Sequence, residues 1–183
     1  MLRSTLLGAV GAMALTTAAS AAPIALDTLY GFSFNGAGTA IEGTATSGFI
    51  NPSNPSGLAS PDAPWTFTIT AGTTATLTVL DLFISGDEFE IFNFGVSLGT
   101  TSAAASGGSC GSNFTCALAD SRYSRGIFSL AAGDYSISGT QLTGTAGAGG
   151  FIVEVAAVPI PATGALLLVA LGGAGLAGRR RRS

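Results

Sequence analysis

Apolar and polar residues alternate in several segments between residues 65 and 155. In WTFTIT, residues 65–70, the tryptophan, phenylalanine and isoleucine share one face and the three threonines share the other. The same alternation recurs in ATLTVLDLF, EFEIF, DYSIS and FIVEV, and Gly-Asp and Asn-Pro turns interrupt it. A period of two with β-branched and aromatic residues is typical of antiparallel strands. We therefore predict an all-β body, an antiparallel β-sandwich of the jelly-roll type.

Two segments depart from this pattern and are predicted to be loops. Residues 51–64 contain four of the seven prolines, which is too many for a strand, and indicate an ordered surface loop. Residues 100–121 contain both cysteines and little apolar material. The body is therefore expected to combine regular sheets with two long surface loops.

The first 21 residues follow the pattern of a secretory signal peptide. Arg3 precedes an apolar stretch, residues 6–15, and three small residues end at Ala21. The apolar stretch is shorter than the about 20 residues that a membrane span needs. We expect cleavage after Ala21, with a buried N-terminal helix as the alternative. This leaves one body domain, residues 22–157, ahead of a C-terminal tail, residues 158–183.

Charge and missing residue types exclude several functions. The body holds all ten carboxylates and two of the seven arginines, a formal net charge of −8, so we expect no nucleic acid partner. The sequence has no histidine and no lysine, which excludes Ser-His and Cys-His pairs and Schiff bases. The glycines form no phosphate-binding pattern. We therefore expect no enzymatic activity and no cofactor, with Ca²⁺ as the one candidate ion.

Two groups of side chains in the body are candidates for a structural or binding role. Cys110 and Cys116 enclose five residues in CGSNFTC, and in an exported chain this spacing predicts a local disulfide, with two free thiols as the alternative. Asp87, Glu88 and Glu90 are the candidate metal ligands. Paired carboxylates also suit a glycosidase. A solvated strand face explains the same three residues without any function.

Two segments of the body resemble parts of small exported bacterial β-domains. Residues 81–102, DLFISGDEFEIFNFGVSLGTTS, are similar to a recurrent D-x-F-x-x-G-D-x-F segment with a glycine turn and a G-x-T-S ending. The later CALADSRYSRGIFSLAAGDYSISG is similar to the downstream part of that pattern. The turn reads Asn93-Phe94-Gly95 where the pattern has Asp-Asn-Gly. The resemblance implies a β-sandwich outside the cytoplasm and no known activity.

The tail combines three features in a fixed order. It begins with a proline motif whose residues are Val158, Pro159, Ile160, Pro161 and Ala162. Residues 162–178 carry no charge and as a helix would measure about 26 Å, the low end of a membrane span. The cations that follow are expected to stay cytoplasmic, and they are Arg179, Arg180, Arg181 and Arg182. The prolines impose an extended backbone ahead of the span, so a processing signal is favoured over a permanent anchor.

This order of motif, span and arginines resembles the PEP-CTERM sorting tail of the VPLPA type, with Ile160 in place of leucine. The resemblance implies that a membrane-embedded exosortase, a transpeptidase, removes the tail during transit and passes the protein to the cell surface or extracellular matrix. IPATG, residues 160–164, is one substitution from the L-P-x-T-G motif of sortase substrates. A sortase-anchored wall protein is therefore the rival interpretation of the tail.

The function expected from the sequence is that of an exported, non-enzymatic surface or matrix protein, associated with biofilm or exopolysaccharide. Two alternatives use the body instead of the tail. The first is a carbohydrate- or Ca²⁺-binding surface module that relies on loop carboxylates. The second is an exported hydrolase built on Asp87, Glu88 and Glu90.

Overall fold

A computed structural model describes residues 21–44 and 58–158, and within these ranges the chain is all-β with one short helix. The strands are, in chain order, β1 (Ala22–Pro23), β2 (Leu29–Asn35), β3 (Glu42–Gly43), β4 (Leu58–Ala59), β5 (Trp65–Ile69), β6 (Thr73–Asp81), β7 (Phe83–Ile84), β8 (Glu88–Asn93), β9 (Val96–Thr100), β10 (Ser109–Gly111), β11 (Arg125–Leu130), β12 (Gly133–Thr143) and β13 (Ala146–Ala157). The helix, α1 (Phe114–Ala119), lies between β10 and β11.

Most of the strands form two sheets. The first sheet has the order β1-β5-β12-β8-β9, the second has the order β11-β6-β13-β2-β3, and β10 pairs with β7 separately. The long strands pair antiparallel, which confirms the predicted sheet type. Two short pairings, each of two residue pairs, are parallel: β1 pairs with β5, and β4 pairs with β2.

Eight of these strands have five residues or more, namely β2, β5, β6, β8, β9, β11, β12 and β13. Numbered one to eight along the chain, they are ordered 2-7-4-5 in the first sheet and 6-3-8-1 in the second. Each sheet thus receives strands from both halves of the chain. Apart from the β8–β9 hairpin, the pairings among these eight strands join strands that are not consecutive in the chain, so the sandwich depends on long-range pairing.

An aromatic core lies between the two sheets. Phe32 on β2 has no solvent exposure, and its ring lies 5.3 Å from that of Phe89 and 6.3 Å from those of Trp65 and Phe151. Trp65 and Phe151 stack across the sandwich at 4.3 Å between ring centroids. The apolar faces read from the alternation in β5, β8 and β13 are the buried faces. Face-to-face burial of these rings is the main stabilising contribution of the fold.

A second apolar cluster contains residues of β6 and of helix α1. Phe114 and Ala117 of the helix are buried against Leu80 and Tyr123. The helix begins after Asn113, whose side chain accepts a hydrogen bond from the N–H of Cys116. Prediction of residues 100–121 as loop is therefore wrong for α1 and β10. A six-residue helix is too short for its periodicity to stand out in the sequence.

Cys110 and Cys116 form a disulfide, as predicted. Within the described ranges no helix is long and apolar enough to cross a membrane. The predicted signal peptide up to residue 20 and the predicted span and arginines lie outside the described residues. The proline-rich segment 51–64 is described from residue 58 on, where Leu58–Ala59 form β4 beside β2.

The central position of Phe32 generates a stability prediction. Phe32→Ala should lower the free energy of unfolding by about 3–5 kcal/mol, because it removes a buried ring and leaves a cavity among three others. The same change at Phe94, which is 65% exposed in the β8–β9 turn, should cost about 0.5 kcal/mol or less. Urea unfolding followed by tryptophan fluorescence measures both values. Equal losses in the two variants would contradict this account of the core.

Candidate functional site

One end of the sandwich interior is polar and contains two buried carboxylates. Asp81 is the last residue of β6, and Asp87 immediately precedes β8. Both belong to the D-x-F-x-x-G-D-x-F segment, and both are buried. The five residues between them carry the chain from the second sheet to the first. This connection, residues 81–87, is the candidate functional site.

The Asp81 carboxylate binds the far end of the connection, residues 86 and 87. Its Oδ2 accepts hydrogen bonds from the backbone N–H groups of Gly86, at 3.1 Å, and of Asp87, at 3.2 Å. Its Oδ1 is buried and has no hydrogen-bond partner within residues 21–44 and 58–158. Gly86 has φ 145°, a conformation that side chains other than glycine rarely adopt. The first aspartate and the glycine of the motif thus form one closed turn.

The Asp87 carboxylate binds β12 and the β12–β13 turn at the same end of the sandwich interior. Its Oδ1 accepts hydrogen bonds from Gln141 Nε2 and from the N–H of Thr145, both at 2.9 Å. Gln141 is itself fully buried, and its Oε1 accepts from the N–H of Gly36 at 2.7 Å. Asp87 therefore joins the connection to β12, to the β12–β13 turn and to the end of β2.

A relay of hydroxyl groups supports the backbone of Asp87. The N–H of Phe89 donates to Thr101 Oγ1 at 2.9 Å, and that hydroxyl donates to Ser124 Oγ at 3.1 Å. Ser124 Oγ then donates to the carbonyl oxygen of Asp87 at 2.5 Å. The two resembling segments thus meet here, through Thr101 of the first and Ser124 of the second. Such a satisfied buried network rigidifies the site.

The disulfide-bonded region covers the outer side of the connection. The hydroxyl of Tyr123 donates to the carbonyl of Phe83 at 2.7 Å and accepts from the N–H of Cys110 at 2.6 Å. Ser85 Oγ accepts from the N–H of Gly108 at 2.8 Å. The predicted loop is therefore tied to the candidate site directly by Gly108, and indirectly by Cys110 through the hydroxyl of Tyr123.

The charges of the two carboxylates are poorly compensated. Burial raises the pKa of Asp81 to about 7, and the nearby charge of Asp87 adds to this rise. Burial also raises the pKa of Asp87, against the lowering effect of its hydrogen bonds from Thr145 and Gln141. Among the described residues, neither arginine contacts this pair: Arg122 pairs with Asp120, and Arg125 donates to a carbonyl near the helix end.

A pocket of about 280 Å³ opens beside the connection. Residues 82–87 form one wall, and residues 144–147 form the other. Gly144 has φ 96°, and a Cβ there would overlap the Asp87 carboxylate, so only glycine fits. Asp87 is the one titratable group in the lining, and its Oδ1 is occupied by two donors. The pocket therefore contains no pair of groups suited to acid–base chemistry.

The predicted metal ligands do not lie together. Asp87 points into the sandwich, whereas Glu88 and Glu90 bind local donors elsewhere, the N–H of Ala104 at 2.8 Å and Ser97 Oγ at 2.7 Å. No group of three histidine, cysteine, aspartate or glutamate side chains in the described part of the chain is placed to hold a metal. The interpretation of all three as a solvated face is also wrong for Asp87, which is buried.

The sequence analysis did not identify Asp81, Gln141, Thr101 or Ser124 as members of this site. One signal for Asp81 was present in the sequence. In TVLDLF it falls on the same face as Val79, an inward-facing position, and a carboxylate on the apolar face of a strand needs partners. Of the predicted sorting motif, Val158 is described, and its N–H donates to the carbonyl of Gly72 at 3.0 Å. Pro159, Ile160, Pro161 and Ala162 lie outside the described residues.

The raised pKa of Asp81 predicts a pH-dependent stability. The unfolded chain releases this proton near pH 3.8 and the folded chain near pH 7, so folding becomes less favourable as the pH rises between these values. The loss is on the order of 4 kcal/mol. Asp81→Asn keeps an acceptor for Gly86 and Asp87 and removes the charge, so its stability should vary less between pH 5 and pH 8. Urea unfolding at both pH values tests this, and parallel profiles for wild type and variant would refute it.

The different surroundings of Asp87 and Glu90 give a second prediction. Asp87→Ala should lower the free energy of unfolding by about 2–3 kcal/mol, because it leaves the N–H of Thr145 without its acceptor and removes one of the three acceptors of Gln141 Nε2. Glu90→Gln keeps an acceptor for the Ser97 hydroxyl on a half-exposed face and should change it by about 0.5 kcal/mol or less. Thermal melting of the two variants measures the difference. Similar melting temperatures would contradict the described role of Asp87.

Comparison with known proteins adds no family to this account. No protein-family model, no curated protein and no solved structure matches the chain. The arguments on function therefore come from the residues of the chain itself. These are the polar connection between the sheets, the end of the last strand and the sequence of the tail.

Proposed function

We propose that the protein is an exported, non-enzymatic component of the cell surface or extracellular matrix, sorted by its C-terminal tail. An exosortase-type membrane transpeptidase is its processing partner, and the membrane holds it during transit. The observation that carries the proposal is the order of motif, apolar span and four arginines at residues 158–183. Such an order places the span in the membrane with the arginines on the cytoplasmic side.

Two features of the body support export and processing. The Cys110–Cys116 disulfide is compatible with an oxidising compartment. The last strand of the sandwich ends at Ala157, one residue before the motif begins. The last described strand therefore leads up to the residue at which the predicted tail begins.

The strand orders support assignment of the body to the jelly-roll class. A jelly roll arranges eight strands in two facing antiparallel sheets, as two Greek keys. The orders 2-7-4-5 and 6-3-8-1 have this form. Because lectin domains use the same architecture, an exopolysaccharide partner fits the proposal, although a fold alone does not define a function.

The chemistry of the candidate site favours a structural role over catalysis. Asp81 and Asp87 use their oxygens to hold backbone and amide groups in place. The sequence provides neither histidine nor lysine to act as a base or nucleophile. The carboxylates stabilise a rigid body, and the tail determines where that body is delivered.

Removal of the tail is the testable step. Wild-type protein from its native host should lack the apolar span and Arg179 to Arg182 in the surface fraction. The double variant Pro159→Ala and Pro161→Ala allows the helix to extend outward, so it should insert and remain at full length in the inner membrane. Intact-mass measurement on both proteins checks this and reports which bond is cut, which separates the exosortase and sortase interpretations.

A permanent anchor makes the opposite prediction, namely equal mass and equal location for wild type and the proline variant. Deleting Arg179 to Arg182 is a matched control, because it should weaken orientation in the membrane while leaving the motif intact. Ser183 still attached to wild-type protein in the surface fraction would defeat the sorting proposal.

A further inference from the structure

The last strand leads directly into the predicted sorting motif. β13 pairs with β2 only as far as Ile152, whereas its pairing with β6 continues to Ala157, opposite Thr73. Val158 extends this ladder, because its N–H donates to the carbonyl of Gly72 at 3.0 Å. The motif therefore begins while the chain is still hydrogen-bonded to the sandwich.

A clamp by Asp27 marks where firm attachment of β13 ends. The N–H of Asp27 donates to the carbonyl of Val153, and Asp27 Oδ1 accepts from the N–H of Val155, both at 2.8 Å. Val153 is buried in the core, and Val155 packs against it. Up to Val155, the strand is thus held on both sides and by its side chains.

Beyond Val155, the strand has one neighbour in the described part of the chain, and its side chains are little buried. Ala156 and Ala157 are exposed, and Val158 is 46% exposed. Among the described residues, their attachment is the ladder with Thr73, its neighbour Thr74 and Gly72. Segments with exposed backbone hydrogen bonds and few apolar contacts open at low free-energy cost. Pro159 has no N–H to donate to a continued ladder, and it restricts Val158 to an extended backbone.

We propose that tail removal requires residues 156–158 to separate from β6, and that the Asp27 clamp stops this opening at Val155. This inference rests on the proposed function. An enzyme cleft that holds the motif as an extended chain competes for the backbone of Val158, whose N–H is bonded to Gly72. Opening of three residues frees about 10 Å of extended chain ahead of the prolines. One peptide bond then breaks: its acyl side stays on the body and passes to water or an acceptor amine, and its amine side leaves with the tail.

A cross-strand disulfide tests whether the opening is needed. Thr73 and Ala157 are register partners, and the Val158–Gly72 hydrogen bond makes them a non-hydrogen-bonded pair, a geometry that a disulfide can bridge. Thr73→Cys with Ala157→Cys in the full chain therefore locks the end of β13. Ala75→Cys with Val155→Cys is the matched control, because these residues are register partners within the firmly held part of the strand.

Pulse–chase labelling in the native host measures the rate of tail removal. The 73–157 lock should slow removal by about tenfold, the control should match wild type, and reductant should restore the rate of the locked variant. Equal rates in the locked variant and the control would overturn the inference while leaving the proposed function intact. A wild-type tail that is never removed would overturn both.

An insertion tests the same inference without new cysteines. Four residues, Gly-Ser-Gly-Ser, placed between Ala157 and Val158 separate the motif from the ladder and should speed removal several-fold. The same insertion between Ala131 and Ala132, in the β11–β12 connection, controls for effects on export and should leave the rate unchanged. Equal acceleration by both insertions, or by neither, would refute a requirement for opening.

Discussion

The arrangement of the two sheets depends on one carboxylate, that of Asp81, which spans the connection between them with hydrogen bonds. At Asp81 the chain leaves the second sheet, and seven residues later, at Glu88, it enters the first. Asp81 Oδ2 accepts from both N–H groups at the far end of that crossing, and the N–H of Asp81 donates to the carbonyl of Ser124. Because Asp87 is positioned by these bonds, its own bonds to Gln141 and Thr145 extend the constraint to β12 and β13.

This arrangement places an electrostatic cost inside an otherwise apolar sandwich. Two buried carboxylates repel each other, and no described arginine offsets them. Hydrogen bonds to Asp87 and to one oxygen of Asp81 compensate for part of the desolvation, while no described residue is a hydrogen-bond partner of Asp81 Oδ1. The aromatic core around Phe32 provides the stability that lets the fold tolerate this pair. Apolar packing around Phe32 thus provides stability, and the hydrogen bonds of the two carboxylates hold the connection at the polar end of the interior.

The sequence predicted local features well and long-range ones poorly, for physical reasons. Alternation identified the strands around Trp65, Phe89 and Phe151, because the period of two is a property of a single strand. The close spacing of Cys110 and Cys116 was sufficient to predict their disulfide. The partnership of Asp87 with Gln141, which is 54 residues away, depends on which strands are neighbours, and no local pattern contains that information. For the same reason, the sequence did not indicate that Asp87 lies in the interior while its near neighbours Glu88 and Glu90 bind donors outside it.

The length of β13 has a consequence for how the body presents its two ends. Its twelve residues span about 36 Å, from the turn that binds Asp87 to the residue before the motif. In the proposed state in which the membrane holds the tail during transit, this separation would far exceed the roughly 8–10 Å over which surface charges act in physiological salt. When the strand stands away from the lipid surface, the buried acids therefore respond to the pH of the surrounding medium and not to the potential at the membrane. In that proposed state the strand would act as a spacer that keeps the titrating end of the molecule electrically independent of the proposed point of attachment.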